Sequence, residues 1–173
     1  MSIVFAEGYL KKVYAPTLMF PLVTVGVEVM NFLFSLVSLF LLALFLGVKI
    51  TIGLLLLPVA LILTTFFILG VVLILSIVNV YYRDTTHIVQ IMFVGLFYLT
   101  PIVYKPELFS SDKMFLIKLN PFSYFIGLFH TIIYEGKFPE ASSWLICGSF
   151  AAISLILGIL VFSLKEKEVI YRL

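Results

Sequence analysis

Apolar residues dominate the chain in four long blocks, and the polar residues fall mainly between them. The first block, 20–46, holds no Lys or Arg and a single acid, Glu28; it stops at Gly47-Val48-Lys49. The second, 50–82, carries no charge, is interrupted by Pro58 and Gly70, and is closed by Arg83-Asp84. The third, 88–104, is shorter, and Pro101 predicts a break near its end. The fourth, 142–164, stops at Lys165-Glu166-Lys167-Glu168. A hydrocarbon layer about 30 Å thick needs roughly 20 apolar residues in a helix rising about 1.5 Å per residue. Four transmembrane helices are therefore expected. The second block exceeds a straight crossing and is expected to tilt, with neighbouring helices re-satisfying the backbone around its Pro and Gly.

Segment 105–141 has a different texture. It holds Lys105, Glu107, Asp112, Lys113, Lys118, Glu135, Lys137 and Glu140, so much of it must meet water. Inside it, Phe122 to Tyr134 is an apolar run following Asn120-Pro121, too short to cross. A re-entrant or interfacial helical segment is expected there, in preference to a fifth span. With four spans, both termini share a side with the Arg83 turn. That side carries Lys11, Lys12, Arg83, Lys165, Lys167 and Arg172, against Lys49, Lys105, Lys113, Lys118 and Lys137 opposite. The positive-inside rule then puts both termini in the cytosol.

Composition agrees with the pattern. The 173 residues are 63% hydrophobic and 12% charged, with a mean hydropathy of +1.24, whereas soluble domains carry about 25% charge. The fold class is all-α membrane protein, read as a single transmembrane domain over 1–173. A net charge of +2 with scattered basic residues gives no footing for nucleic acid. Cys147 is the single cysteine; it excludes an intrachain disulfide and reads as a small packing residue. The start, MSIVFAEGYLKK, lacks the layout of a removable signal peptide.

Catalytic chemistry has no motif here. There is no Gly-rich loop ending in Gly-Lys-Ser/Thr, no His-Glu-x-x-His and no Cys-x-x-Cys. His87 and His130 fall in regions assigned to opposite faces, so no shared metal or catalytic role is expected. Glu28 lies about 12 Å into the first span at 1.5 Å per residue. Carboxylates at such depth face a bundle interior or water. Glu28 reads either as a wall residue of a polar conduit or partner to a cation, or as a group that merely orients its helix. Asn31, nearly one turn on, adds to the conduit reading. Arg83 and Asp84 read as a helix-end charge and a cap for the next helix, or as a gating or docking pair. The outer segment is rich in aromatic residues, Tyr98, Tyr104, Phe122, Tyr124 and Phe125 among them. They read as a headgroup-level belt or as a ring-stacking surface for sugars at a channel exit.

Three runs in order, EGYLKKVYAPTLMFPL, NVYYRDTTHIVQIMFVGLFYLTPIVY and KLNPFSYFIGLFHTIIYEGKFP, resemble permease subunits of type-2 ABC exporters. The subgroup they are most similar to moves O-antigen and teichoic-acid polymers. The resemblance implies that Glu7 to Pro16 is a cytosolic coupling helix seated in an ATPase subunit, with Tyr9, Leu10, Lys11, Lys12 and Tyr14 as contacts. It implies that Asn120 to Tyr134 forms re-entrant outer helices shaping the exit, with Arg83-Asp84 at a cytosolic turn. It also implies two permeases and two ATPases per transporter, with a lipid-linked glycan as substrate and the bacterial inner membrane as location. ATP and Mg would be used by the partner, and this chain would hold no cofactor. Relatives carry about two more spans ahead of the coupling segment, so the chain is expected to match the C-terminal two-thirds of such a permease. Two other readings stay open: a type-2 permease for drugs, lipids or peptides, and a non-transport membrane scaffold.

Overall fold

The computed structural model describes residues 17–47, 51–82, 84–100 and 119–172. The coupling segment 7–16, Arg83, Tyr104 and 105–118 lie outside the described residues. Among those described, all regular structure is helical: α1 (Met19–Phe45), a 3₁₀ turn (Ile52–Leu56), α2 (Leu57–Tyr81), α3 (Thr85–Leu99), α4 (Pro121–His130), a π-helical turn (Thr131–Glu135) and α5 (Ala141–Arg172). Three helices are long and apolar enough to cross a membrane, over Met19–Phe45, Ile52–Tyr81 and Ala141–Glu166. α3, with 15 residues, rises only about 22 Å.

Local chemistry explains most of the boundaries. α1 ends where Gly47 takes φ +69°, a left-handed turn that suits a residue without Cβ. Pro58 does not interrupt the second block. It stands in the first turn of α2, where a missing N–H costs nothing, and the 3₁₀ turn before it absorbs the preceding residues. Gly70 does not break α2 either. α3 closes at Leu99, two residues before Pro101, as the restriction on residues preceding proline requires. The charged run from Lys165 ends the apolar stretch but not the helix, which continues to Arg172.

The core is built on α2 and α5. They run parallel, with Ala60 and Phe67 near Cys147 and Ala151 at one end and Leu73 and Ile77 against Phe162 at the other. On α5, Cys147, Ala151, Ser154, Gly158 and Phe162 all fall on one helical face. Gly70 of α2 meets that face at Ser154 and Gly158: a Cβ on Gly158 would stand 2.6 Å from the Gly70 carbonyl oxygen. Ser154 Oγ donates to the Phe67 carbonyl at 2.9 Å across the pair. In lipid, small residues let helix backbones approach and so decide which faces pack. α1 runs antiparallel to this pair. Its buried residues, Pro21 and Val25, lie in its first two turns, and farther along Phe40 packs half-buried against the Ala60–Cys147 cluster.

The ends of the bundle are tied by polar contacts. At one end, Thr17 Oγ1 donates to Glu166 Oε1 at 2.7 Å, and Thr86 Oγ1 donates to Asn79 Oδ1 at 2.9 Å. At the other, Asn120 accepts from the Phe122 N–H at 3.0 Å, capping α4, while its Nδ2 donates to Thr100 Oγ1 at 2.8 Å. Both Asn120 and Thr100 are buried. Nearby, Gly136 takes φ +63° beside Thr51, whose Oγ1 would lie 2.6 Å from any Cβ there.

A candidate groove between α1, α2 and α4

α1, α2 and α4 together line a groove that runs along α1 from Val25 to Leu39. The groove has a volume of about 680 Å³. Its α1 wall includes Glu28, Asn31, Phe32 and Ser35; α2 adds Leu61, Thr64 and Thr65; α4 adds Phe122, Phe125 and Phe129.

The hydroxyls of Ser35, Thr64 and Thr65 in this wall each donate within their own helix. Thr64 Oγ1 donates to the Ala60 carbonyl at 2.8 Å, Thr65 Oγ1 to Leu61 at 2.8 Å, and Ser35 Oγ to Asn31 at 2.9 Å. Such bonds satisfy a hydroxyl within its own helix. The groove's polar character therefore comes from Glu28 and Asn31. Asn31 Nδ2 donates to Glu28 Oε2 at 3.4 Å, a long bond that leaves most of the carboxylate's acceptor capacity unused by it. A carboxylate so placed attracts a cation or hydroxyl donors.

The aromatic residues shape the floor. Phe125 is buried and stacks on Phe67, centroids 4.8 Å apart, so one of its faces is already covered. Phe122 meets Phe67 edge-on at 5.4 Å and Phe93 of α3 at 6.1 Å. Phe129 meets Phe32 of α1 at 5.7 Å, edge to face. These are the preferred offset and T-shaped geometries of aromatic pairs. They make the α4 wall stiff.

The structure thus brings four candidate residues, Glu28, Asn31, Phe122 and Phe125, to one groove. Three others sit elsewhere. Tyr124 lies on the far side of α4, its ring 5.9 Å from that of Phe150 on α5. Tyr98 of α3 is exposed and pairs with Phe97 at 5.7 Å. Asp84 occupies the cap position of α3 but accepts no capping hydrogen bond. Tyr9, Leu10, Lys11, Lys12, Tyr14, Arg83 and Tyr104 lie outside the described residues. The sequence reading missed Thr17, Thr100 and Glu166. Each is an ordinary polar residue near a helix end, and only its distant partner marks it.

A family model described as ABC-2 type transporter matches residues 4–134. The chain is 26% identical over 161 residues to the O-antigen export system permease protein RfbA of Myxococcus xanthus, an alignment covering 92% of this chain. It spans 62% of the length of that curated relative. No solved structure matches.

Proposed function

The chain belongs to the ABC-2 type transporter family, and on that footing we propose that it forms the membrane-spanning, non-catalytic part of an ATP-driven exporter. In this reading α1, α2, α3 and α5 cross the inner membrane with both termini in the cytosol, and α4 with its π turn dips in from outside. A separate ABC ATPase consumes ATP and Mg. It pushes on Glu7 to Pro16 through Tyr9, Leu10, Lys11, Lys12 and Tyr14. A second permease copy completes the channel. Arg83 and Asp84 stand at the cytosolic turn as gate candidates.

One observation carries the proposal: the groove along α1, with a carboxylate–amide pair in a largely apolar wall and a floor of packed rings. The substrate is proposed to be a lipid-linked polysaccharide, on the strength of the relative's role in O-antigen export. Hydroxyl-rich chains suit the Glu28–Asn31 pair as donors. Tyr98, Tyr104, Phe122 and Tyr124 are candidates for stacking on sugar faces nearer the exit. Nucleotide drives transport here by favouring one of two packings of α1 against α2 and α4.

The test is co-expression with the cognate ATPase. Replacing Lys11, Lys12 and Tyr14 by Ala is expected to abolish both ATPase co-purification and ATP-driven glycan export. Retention of both removes the coupling role. Glu28→Gln with Asn31→Leu is expected to lower export while leaving co-purification intact. A second reading has the groove's apolar walls in its favour: a permease for drugs, lipids or peptides. Competition by an amphiphilic dye for ATP-driven transport, with no effect of glycan, supports that reading over the first.

A further inference from the structure

α1 is buried most deeply at its base, and beyond it touches its neighbours through half-buried or exposed rings, Phe32 on Phe129 and Phe40 on the core cluster. Thr17, the residue joined by a peptide bond to Pro16, is 2% exposed, and its hydroxyl donates to the Glu166 carboxylate 149 positions away. Phe20 packs on the Leu73, Ile77 and Phe162 cluster. On the same turn of α5, Lys165 Nζ lies 5.9 Å from the centre of the Tyr81 ring, on the last turn of α2. A single turn of α5 therefore holds both the start of α1 and the end of α2. Past Val25 every residue of α1 is at least partly exposed, and Phe45 at its far end is 90% exposed.

Apolar contacts such as those of Phe20 and Val25 are non-directional and let a helix slide along its neighbour. A hydrogen bond at 2.7 Å has a preferred angle and length, and so resists sliding. We infer that the Thr17–Glu166 hydrogen bond is the joint that passes a push on the segment ahead of α1 into the α2–α5 pair. Glu166 is then a positioning residue for coupling, and α1 pivots about this joint to widen or narrow the groove at Glu28. The inference rests on the exporter reading given above.

The complete permease is assembled with its ATPase in lipid nanodiscs, in a Cys147→Ala background. Spin labels at Phe45→Cys and Ser142→Cys report the distance between the far end of α1 and the start of α5. With the joint intact, ATP plus vanadate is expected to shift that distance. Thr17→Val and Glu166→Ala are each expected to lose the shift with ATPase co-purification retained. Glu166→Gln, which keeps an acceptor oxygen for Thr17, is expected to retain it. An undiminished shift in Thr17→Val and Glu166→Ala overturns the joint while leaving the exporter reading in place. No nucleotide-dependent shift in the parent complex overturns both. If Glu166→Ala fails to assemble, Thr17→Val, a near-isosteric change, decides alone.

Discussion

The α2–α5 pair and α1 are equally apolar to the eye, yet they are packed in opposite ways. α2 and α5 approach until Gly70 touches Ser154 and Gly158, with a hydrogen bond across the seam. α1 presents Leu, Phe and Val on nearly every face and buries only Pro21 and Val25. Lipid tails are as apolar as these side chains, so burying them against another helix gains little over leaving them in the bilayer. Close approach is what discriminates, and it needs small residues in register on both partners. α5 has that register. α1 has Gly26, around which nothing lies within 4 Å. The tight pair is a frame, and α1 rests on it with few buried side chains.

The sharpest way to break this contrast is Gly70→Leu. Any Cβ at Gly70 meets the Ser154 backbone, so the pair must separate; a loss of about 3 kcal/mol or more is expected. It would be read as a collapse of the melting temperature in detergent or as failure to express. A melting curve like the parent's means that α2 and α5 do not meet at this point. Asn120→Leu comes next. It removes the cap of α4 and the bond to buried Thr100, whose hydroxyl keeps its own bond to the Leu96 carbonyl, for an expected loss of about 2 kcal/mol in the same assay. An unchanged midpoint would mean that the end of α3 and the start of α4 are not held by this bond. Ser154→Ala removes only the seam hydrogen bond. Membrane-buried bonds of this kind average about 0.6 kcal/mol, so a midpoint shift of a few degrees at most is expected. Gly26→Ala completes the series from the loose side. With open space at its Cβ position and helical backbone on both sides, it is expected to raise stability by about 0.5 kcal/mol. A destabilisation comparable to Gly70→Leu would show that α1 is closely packed there after all.

Much of the architecture could be read before any coordinates. The blocks at 20–46, 50–82 and 142–164 correspond to α1, the 3₁₀ turn with α2, and the apolar part of α5, because hydropathy over twenty residues is a property of the segment itself. Asn120-Pro121 precedes the apolar run that becomes α4, and its roles as cap and first-turn proline are local ones, acting within four residues. Pro58 was misjudged because its effect depends on where the helix begins, and a charge-free block carries no mark of that. The Lys165 run was misjudged because leaving lipid and ending a helix are separate events; Lys and Glu are both good helix formers. At the groove, Glu28 stood out by its cost in an apolar span, and Asn31 by its spacing. Tyr124 could not be separated from Phe125 by composition, although one faces α5 and the other Phe67.

Which stretches belong in lipid was determined by the sequence alone, since the gain from removing an apolar side chain from water is nearly the same whatever its eventual neighbour. Which faces meet, and which polar residues become joints, was decided only in the tertiary structure. Gly70 is an interruption on paper and a point of close helix approach in the bundle. Thr17 and Glu166 lie 149 positions apart and become partners only when α1 folds back along α5. Pairing of that kind depends on distance and direction between segments, and a linear pattern holds neither.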